Sequence, residues 1–366
     1  MTKINILSQG RFHMLDLARK LDHTGFDIKF YSFIPTSRCI KFGLQKKCIV
    51  SLFGIIAPFL ILRRIFPKLS WIHIKVQDFI MGIFMRKCDI CISLTGYVYA
   101  PRIAQKKGAI IIMERGSKHI LEQKKILEKN PHKKNEAIPN RNIKCNLKAY
   151  QFANFISVAS QHVKESFLLH QYPENRIFVN PYGVDLSMFK PLPNIPKKYD
   201  VIMVGGWGYE KGCDLIVEAI RKTNYSFIHV GSIKDVDFPQ EKNFTHIDPV
   251  DQSKLIEYYN QAKVFILPSR QDGFGMVLSQ ALACNLPIIG SNNCGAPDLK
   301  KMVELPEYIT IIKDYTADAI VTAIHTAIKN YEQLGERIYA GNAIENLTWE
   351  AYGKRYANFL HKIIKQ

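Results

Sequence analysis

The sequence lacks the features that would place the chain across a membrane or in an oxidising compartment. Its longest apolar stretch, Cys48–Leu62, is shorter than the ~20 residues that a membrane-spanning helix needs, and Pro58 interrupts it. The first residues also lack the charged-then-apolar pattern of a secretory leader. The eight cysteines show no disulfide framework, and the close pair Cys88 and Cys91 has no second pair at zinc-binding spacing. We therefore expect reduced structural thiols in a cytoplasmic protein.

Acidic residues are scarce in the first half of the chain. Residues 1–200 carry 33 Lys and Arg against 13 Asp and Glu, whereas residues 201–366 carry 17 against 19. The excess positive charge, +18 overall, therefore resides in the first half. Such an excess indicates an anionic partner, either a membrane or a nucleic acid. The sequence contains no nucleic-acid-binding motif and no basic stripe studded with aromatic residues, so we expect no nucleic acid partner.

The apolar stretch Cys48–Leu62 bears on the nature of that partner. It is flanked by basic residues, namely Lys46, Lys47, Arg63, Arg64 and Lys68. An apolar segment edged by Lys and Arg predicts a patch that docks on an anionic membrane surface. The alternative is a buried core helix or pair of strands, which the apolar residues themselves slightly favour. The basic flanks are harder to explain by burial.

Short apolar runs rich in β-branched residues alternate with stretches of helical spacing along the chain. This alternation predicts an α/β protein with parallel sheets and right-handed crossovers. A chain of 366 residues is long enough for two domains, and the Pro-rich run Pro191–Lys198 predicts the linker between them. The segment Glu128–Ile143, rich in Lys, Asn and Pro, predicts a surface loop.

The most informative segment is Phe265–Leu299, which predicts a strand, a glycine loop, a helix and a second strand. The loop ends in Gly273 and Gly275, and Met276–Cys284 has the spacing of an apolar helix face. A glycine loop that feeds a helix N-terminus binds phosphate groups well, because unpaired N–H groups and the positive helix end favour an anion. At the carboxyl end of a parallel strand, this pattern predicts a nucleotide site.

A second segment has the same organisation. The strand Val201–Gly206 runs into Lys211, Gly212 and an amphipathic helix that ends near Ile220. Lys211 is a candidate for neutralising a phosphate. Taken alone, it is as compatible with a solvated lysine at a helix start.

Together these segments resemble the nucleotide-sugar site of retaining glycosyltransferases of family 4, which have the GT-B fold of two Rossmann-like domains. The E-x7-E of that family corresponds to Asp272 and Gln280 here. The resemblance implies that Asp272 binds hydroxyls of the donor sugar and that Gln280 accepts from the ribose hydroxyls. Gly273, Phe274 and Gly275 would line the donor site. The R-x4-K of the family corresponds to Gly206 and Lys211, so one of the two usual diphosphate contacts is missing.

The resemblance extends to the rest of the chain. Arg176–Pro191 is similar to the interdomain signature, in which Gly183 supplies a turn. It implies domains at 1–190 and 191–348, with the closing helix 349–366 packed on the first. Gly10, after the first strand, would approach the donor, and Arg11 could add charge there. His119 would lie near the donor sugar ring, although a solvated histidine in a first helical turn is as compatible with the sequence, and Ser117 is a candidate cap for that helix.

The sequence therefore predicts a retaining glycosyltransferase that moves a sugar from a nucleoside diphosphate sugar to a saccharide or lipid-linked saccharide. The predicted catalytic residues are Lys211, Asp272 and His119. The site loops contain no D-x-D motif, so we expect no metal and no other cofactor. Two alternatives stay open: a sugar-nucleotide epimerase of the same fold, and a membrane-associated binding protein that has lost turnover. We expect the protein to lie peripherally on the inner face of the membrane.

Overall fold

Two parallel β-sheets, each covered by helices, organise the chain. The computed structural model describes residues 1–66, 72–132, 138–335 and 337–365. Within them the first sheet has the strand order β3-β2-β1-β4-β5-β6-β7 and the second β10-β9-β8-β11-β12-β13. Every pairing within the two sheets is parallel. This architecture confirms the predicted α/β class.

The first sheet and its helices occupy the N-terminal half. The strands are β1 Lys3–Leu7, β2 Asp27–Ser32, β3 Ile49–Ser51, β4 Ile90–Leu94, β5 Ile110–Arg115, β6 Phe155–Val158 and β7 Ile177–Val179. The helices are α1 Phe12–Leu21, α2 Thr36–Lys41, α3 Phe53–Ile65, α4 His73–Phe84, α5 Tyr99–Lys106, α6 Ile120–Leu127, α7 Asn140–Phe152 and α8 Gln161–Leu168. Central strands such as β4 are buried almost throughout, as expected for a sheet covered on both faces.

The second sheet and its helices follow the Pro-rich run. The strands are β8 Tyr199–Val204, β9 Phe227–Val230, β10 Phe244–Ile247, β11 Ala262–Leu267, β12 Ile288–Ser291 and β13 Ile309–Ile312. The helices are α9 Cys213–Arg221, α10 Leu255–Asn260, α11 Met276–Ala283, α12 Ala296–Lys300, α13 Ala317–Leu334 and α14 Trp349–Ile364.

Helix α14 leaves the second sheet and packs on α1 of the first. The Tyr356 hydroxyl donates to the buried Glu114 carboxylate over 2.6 Å, and the ring of His361 lies 4.8 Å from that of Phe26. The start of α14 also explains Gly183, because a Cβ there would lie 2.5 Å from the Trp349 backbone nitrogen. Close approach of two backbones, rather than a positive φ at a turn, therefore requires glycine at this position.

Three local predictions differ from the structure. Helix α3 continues through Pro58 and its only buried residue is Ile56, so the core alternative is wrong for the helical part of the apolar segment, whereas Cys48 and Leu52 before the helix are buried. Ser117 does not cap α6, because His119 is the N-cap and accepts from the backbone N–H of Leu121. The predicted loop up to Ile143 is too long, because α7 already begins at Asn140. Lys68, one of the basic flanks, lies outside the described residues.

Candidate active site

Lys211 and Asp272 form an ion pair at the carboxyl edge of the second sheet. Lys211 ends the short 3-10 helix Tyr209–Lys211, and its Nζ lies 2.6 Å from Asp272 Oδ2. Burial lowers the pKa of Lys211, but the charges of Asp272 and Glu210 and the hydrogen bond to Asp272 outweigh it, so the pKa is raised. The lysine is therefore cationic at neutral pH. It lies beside the glycine loop, where it can bind an anion.

The glycine loop has the backbone that its sequence predicts. Gly275 adopts a φ of +78° at the N-cap of α11, a conformation that favours glycine. The Phe274 side chain is buried, and its ring meets the edge of Tyr182 at 5.9 Å. The loop thus presents Gly273, the Asp272 carboxylate and the first N–H groups of α11 to the same region.

Gly273 lies against the first sheet. A Cβ at this position would lie 1.9 Å from the carbonyl oxygen of Gly116, which follows β5. The Ser160 hydroxyl donates to the Gly273 carbonyl over 2.5 Å. The glycine loop and the loops of the first sheet are therefore in direct contact, and any side chain at position 273 would push them apart.

Polar contacts extend this interface beyond the glycine loop. Lys118 Nζ donates to Asn293 Oδ1 over 2.7 Å, and Gln271 Nε2 donates to Ser117 Oγ over 3.0 Å. The backbone N–H of Gln161 donates to the Asp298 carboxylate over 3.1 Å. The carboxyl edges of the two sheets thus face each other across the Lys211–Asp272 pair.

Gln280 is engaged elsewhere. It is buried on α11, and its Oε1 accepts from the Tyr259 hydroxyl over 2.9 Å. An amide oxygen has two lone pairs, so one acceptor position is left for a ribose hydroxyl. No contact joins Gln280 to the Lys211–Asp272 pair in the described parts of the chain.

The space beside Gly206 is filled by a lysine from another loop. A Cβ on Gly206 would lie 2.3 Å from Lys234 Cε and 2.8 Å from its Nζ. Lys234 is held there because its backbone N–H donates to the Trp207 carbonyl over 2.9 Å. Its side chain is exposed. A cation therefore occupies the place where the resemblance showed a missing arginine, and no motif spacing in the sequence signals it.

Gly10 and its neighbours lie in the loop after β1. The Ser8 hydroxyl donates to the Gly10 carbonyl over 2.8 Å. The Arg11 guanidinium lies 4.0 Å from the centre of the Phe42 ring, so its charge is directed there. This loop is connected to the glycine loop through two ring contacts. The His13 ring lies 4.5 Å from that of Tyr182, and the Tyr182 ring in turn contacts Phe274.

His119 is not brought together with the Lys211–Asp272 pair. It is buried, so the solvated alternative is wrong, and its ring stacks on His170 at 4.0 Å and meets Tyr150 and Phe167. Burial, followed by the His170 charge, lowers the pKa of His119 to about 3. The imidazole is therefore neutral at neutral pH and belongs to an aromatic cluster of the first domain.

A different histidine, His162, lies against the pair. It stands in the first turn of α8 and is more than nine-tenths buried, and its ring lies at the Gly273 backbone. Burial, followed by the charge of Lys118, lowers the pKa of His162 to about 3, while the Asp272 charge and a hydrogen bond with the Gly273 backbone oppose the shift. Only one ring nitrogen can face Gly273, and the other has no partner among the described residues, so it is a candidate for a ligand. No sequence pattern indicates His162, since no fixed spacing relates it to the glycine loop.

The metal prediction is not tested by this geometry. Among the residues that the structure describes, no three His, Cys, Asp or Glu side chains are arranged to hold an ion. Nor does any helix in the described ranges combine the length and apolar character that crossing a bilayer requires.

All eight cysteines are free, and all but Cys145 are buried.

Sequence comparisons identify relatives of part of the chain. Residues 187–343 match the family described as Glycosyl transferases group 1. A probable sucrose-phosphate synthase of Thermosipho melanesiensis is 26% identical over 242 residues, which cover 58% of this chain and 56% of that protein. A GDP-mannose-dependent alpha-(1-6)-phosphatidylinositol monomannoside mannosyltransferase of Mycolicibacterium smegmatis is 23% identical, over 57% of this chain and 62% of that protein. The chain thus matches little more than half the length of these relatives.

Structural comparisons cover the whole chain. The sucrose-phosphate synthase of Thermosynechococcus elongatus superposes with a TM-score of 0.67 at 14% identity, over 100% of both chains. Anabaena HepE in complex with UDP and glucose gives a TM-score of 0.67 at 14% identity, over 99% of this chain and 100% of that one. These likenesses confirm the predicted GT-B fold of two Rossmann-like domains. Residues 187–343, which match the family described as Glycosyl transferases group 1, lie within that fold.

Proposed function

We propose that this protein is a retaining glycosyltransferase that moves a sugar from a nucleoside diphosphate sugar to a saccharide or lipid-linked saccharide. The observation that carries the proposal is the Lys211–Asp272 pair, 2.6 Å apart, in front of the glycine loop and the N-terminus of α11. The pair joins a cation for a diphosphate to a carboxylate for sugar hydroxyls. Retention at the anomeric carbon rests on the family resemblance.

The chemical step breaks the bond between the anomeric carbon and the diphosphate oxygen. Negative charge develops on the departing diphosphate, the acceptor hydroxyl oxygen bonds to that carbon on the face that the diphosphate leaves, and the hydroxyl proton passes to the departing diphosphate oxygen. Lys211 and the N-terminal N–H groups of α11 stabilise that charge, which lowers the barrier because they are already oriented. Asp272 holds the sugar, and Gln280 accepts from the ribose through its free lone pair. No metal or other cofactor is part of this proposal.

Lys234 supplies the second phosphate contact. It belongs to the loop after β9, and its side chain lies beside Gly206, which follows β8 and precedes Lys211 in the chain. A diphosphate carries more charge than one lysine neutralises, so Lys211 and Lys234 together match the ligand better than Lys211 alone.

The wall opposite the donor comes from the first sheet. Gly10 and His119 were the sequence candidates, and we assign the contact with the donor sugar to His162 instead. One of its buried ring nitrogens lies at the Gly273 backbone beside Asp272 and the other is left for a ligand, whereas His119 packs among aromatic rings. A neutral imidazole both donates and accepts, so it suits a sugar hydroxyl.

The relatives support the donor class and one acceptor class. The mycobacterial relative is named for GDP-mannose and for a phosphatidylinositol mannoside, and Anabaena HepE was crystallised with UDP-glucose as well as UDP. These names support a nucleoside diphosphate sugar as donor for this chain, and a lipid-bound saccharide as acceptor.

Release of nucleoside diphosphate from a panel of UDP-, GDP-, ADP- and CDP-sugars tests the proposal. We expect release from one donor and retention of anomeric configuration in the product, followed by NMR. Tight donor binding without release under any condition would instead indicate a binding protein that lacks turnover. Conversion of the donor sugar to its epimer would indicate the epimerase.

The proposal includes a membrane surface on the cytoplasmic side. Helices α3 and α4 contact each other, since the rings of Phe59 and His73 lie 6.0 Å apart. Both helices expose large apolar side chains, which are Ile61, Leu62, Ile65, Phe79, Ile83 and Phe84. Arg63 and Arg64 in the last turn of α3 add positive charge. Exposed apolar groups beside cations suit the interface of an anionic bilayer.

Substitution of Ile61 and Ile65 by Glu is expected to weaken vesicle binding at least about tenfold, because two apolar groups would no longer enter the interface. Both side chains are 64% exposed, so the change should leave folding intact. Cosedimentation with phosphatidylglycerol vesicles measures the effect. Leu169→Glu, at a site 74% exposed directly after α8, is the control. Equal binding by the double variant and the control would contradict membrane docking through α3.

A further inference from the structure

A large cavity lies in the N-terminal half between α4, α5 and α7. Its volume is about 890 Å³, within the range of small-molecule sites. Apolar and aromatic side chains line one part of it, namely Ile74, Phe79, Val98, Tyr99 and Ile103. The rings of Phe79 and Tyr99 lie 5.3 Å apart and are both about half exposed.

The cavity lies at the carboxyl edge of the first sheet, which is the edge that faces the donor site. Val98 and Tyr99 follow the end of β4, and the lining residue Asn146 accepts from the Arg115 guanidinium at the end of β5 over 3.1 Å. The next residue, Gly116, touches Gly273 of the glycine loop. One strand end therefore connects the wall of the cavity to the donor loop.

The remaining lining is strongly cationic. It contains five basic residues, which are Lys75, Arg102, Lys106, Arg141 and Lys148. Among the described lining residues the one carboxylate is Asp78, and its oxygens already accept from the backbone N–H groups of Val98, Tyr99 and Ala100 over 2.7 to 2.9 Å. Burial also raises the pKa of Asp78. The cavity thus offers much positive charge and little competing negative charge.

We propose that this cavity binds the acceptor, and that the acceptor is a membrane lipid with a phosphate in its head group. This inference rests on the function proposed above. The cations match the phosphate, and the Phe79–Tyr99 wall matches the start of the hydrocarbon chain. Ile83 and Phe84 follow Phe79 on α4 and are exposed. The hydrocarbon chain of the lipid can therefore remain in the bilayer while its head group enters the cavity. A free sugar or soluble sugar phosphate would leave the apolar wall unused.

The test uses two double variants with the same loss of charge on the same helices. Arg102→Ala with Lys148→Ala removes two lining cations, from α5 and α7. Lys107→Ala with Lys144→Ala removes two exposed lysines that do not line the cavity, one just after α5 and one on α7. The probes are dioctanoyl phosphatidic acid below its critical micelle concentration, octyl glucoside and inorganic phosphate. Affinities are measured by isothermal titration calorimetry on the full chain.

We expect dioctanoyl phosphatidic acid to bind the wild type and the control alike, and the lining variant at least about tenfold more weakly, because charged hydrogen bonds are lost. Octyl glucoside and inorganic phosphate should each bind more weakly than the lipid phosphate, since each satisfies only one part of the cavity. Equal weakening in both double variants would overturn the proposal, as would inorganic phosphate binding as tightly as the lipid phosphate. Nucleoside diphosphate binding to the wild type, measured in parallel, separates the two proposals. If the wild type does not bind nucleoside diphosphate, the proposed glycosyltransferase function is overturned. If it binds nucleoside diphosphate but not the lipid phosphate, only the acceptor proposal is overturned.

Discussion

Lys211→Ala is expected to lower kcat for sugar transfer by about 10²–10³-fold, the cost typical of removing one preoriented group from a developing charge. The loss should fall mainly on kcat, because negative charge on the diphosphate is greatest in the transition state. The variant should still fold, since the Lys211 side chain lies at the edge of a cleft and not in the core. Single-turnover release of nucleoside diphosphate measures the effect.

Two further variants separate lost stabilisation from new repulsion. In Lys211→Ala the Asp272 carboxylate loses its partner and would repel the diphosphate, so Lys211→Ala with Asp272→Asn removes that repulsion. If the double variant is also less active than Asp272→Asn alone, the lysine acts on the leaving group directly. Lys222→Ala, which breaks the surface pair with Asp318 at 2.6 Å, is the matched control and should be neutral. Unchanged turnover in Lys211→Ala would remove Lys211 from the mechanism.

The sequence predicted the local elements around this pair well. The strand before the glycine loop, the helix that begins at Met276 and the lysine before α9 all lie where hydrophobic periodicity and glycine placed them. These features are local, because a strand, a turn and a helix cap are each specified within a few residues. The ion pair between Lys211 and Asp272 was not predicted; the structure brings the two side chains together because the strand ends of one parallel sheet share an edge.

The residues that the sequence did not reveal depend on long-range contacts. His162 lies near the Lys211–Asp272 pair because the start of α8 contacts the glycine loop, where the Ser160 hydroxyl donates a hydrogen bond to the Gly273 carbonyl. The burial of the apolar segment stayed open between docking patch and core for the same reason, because its sequence does not show whether a neighbouring element covers it. His119 is the opposite case. The resemblance implied a place near the donor sugar ring, whereas its ring packs against Tyr150 and Phe167 in an aromatic cluster.

Lys234 is the most consequential of these residues, and its role has a sharp test. Lys234→Ala is expected to lower kcat/KM about 10- to 100-fold, because one of two cations on the diphosphate is lost. The sequence lacks the usual arginine at Gly206, and the side chain of Lys234 lies where that arginine would start. Donor titration and initial rates measure the loss. Lys242→Ala, an exposed lysine of the same domain, is the matched control.

Restoring the arginine should rescue the lysine variant. Gly206→Arg alone is expected to impair the enzyme, because its Cβ would meet Lys234 Cε at 2.3 Å and two cations would compete for one place. In the Lys234→Ala background that space is open, so the added arginine can reach the diphosphate and recover most of the lost kcat/KM. The two changes together should then cost less than the sum of each alone, as expected for residues that share one function. Additive losses would mean that Lys234 does not take the place of the missing arginine, and the diphosphate would have to be held by Lys211 and backbone N–H groups alone.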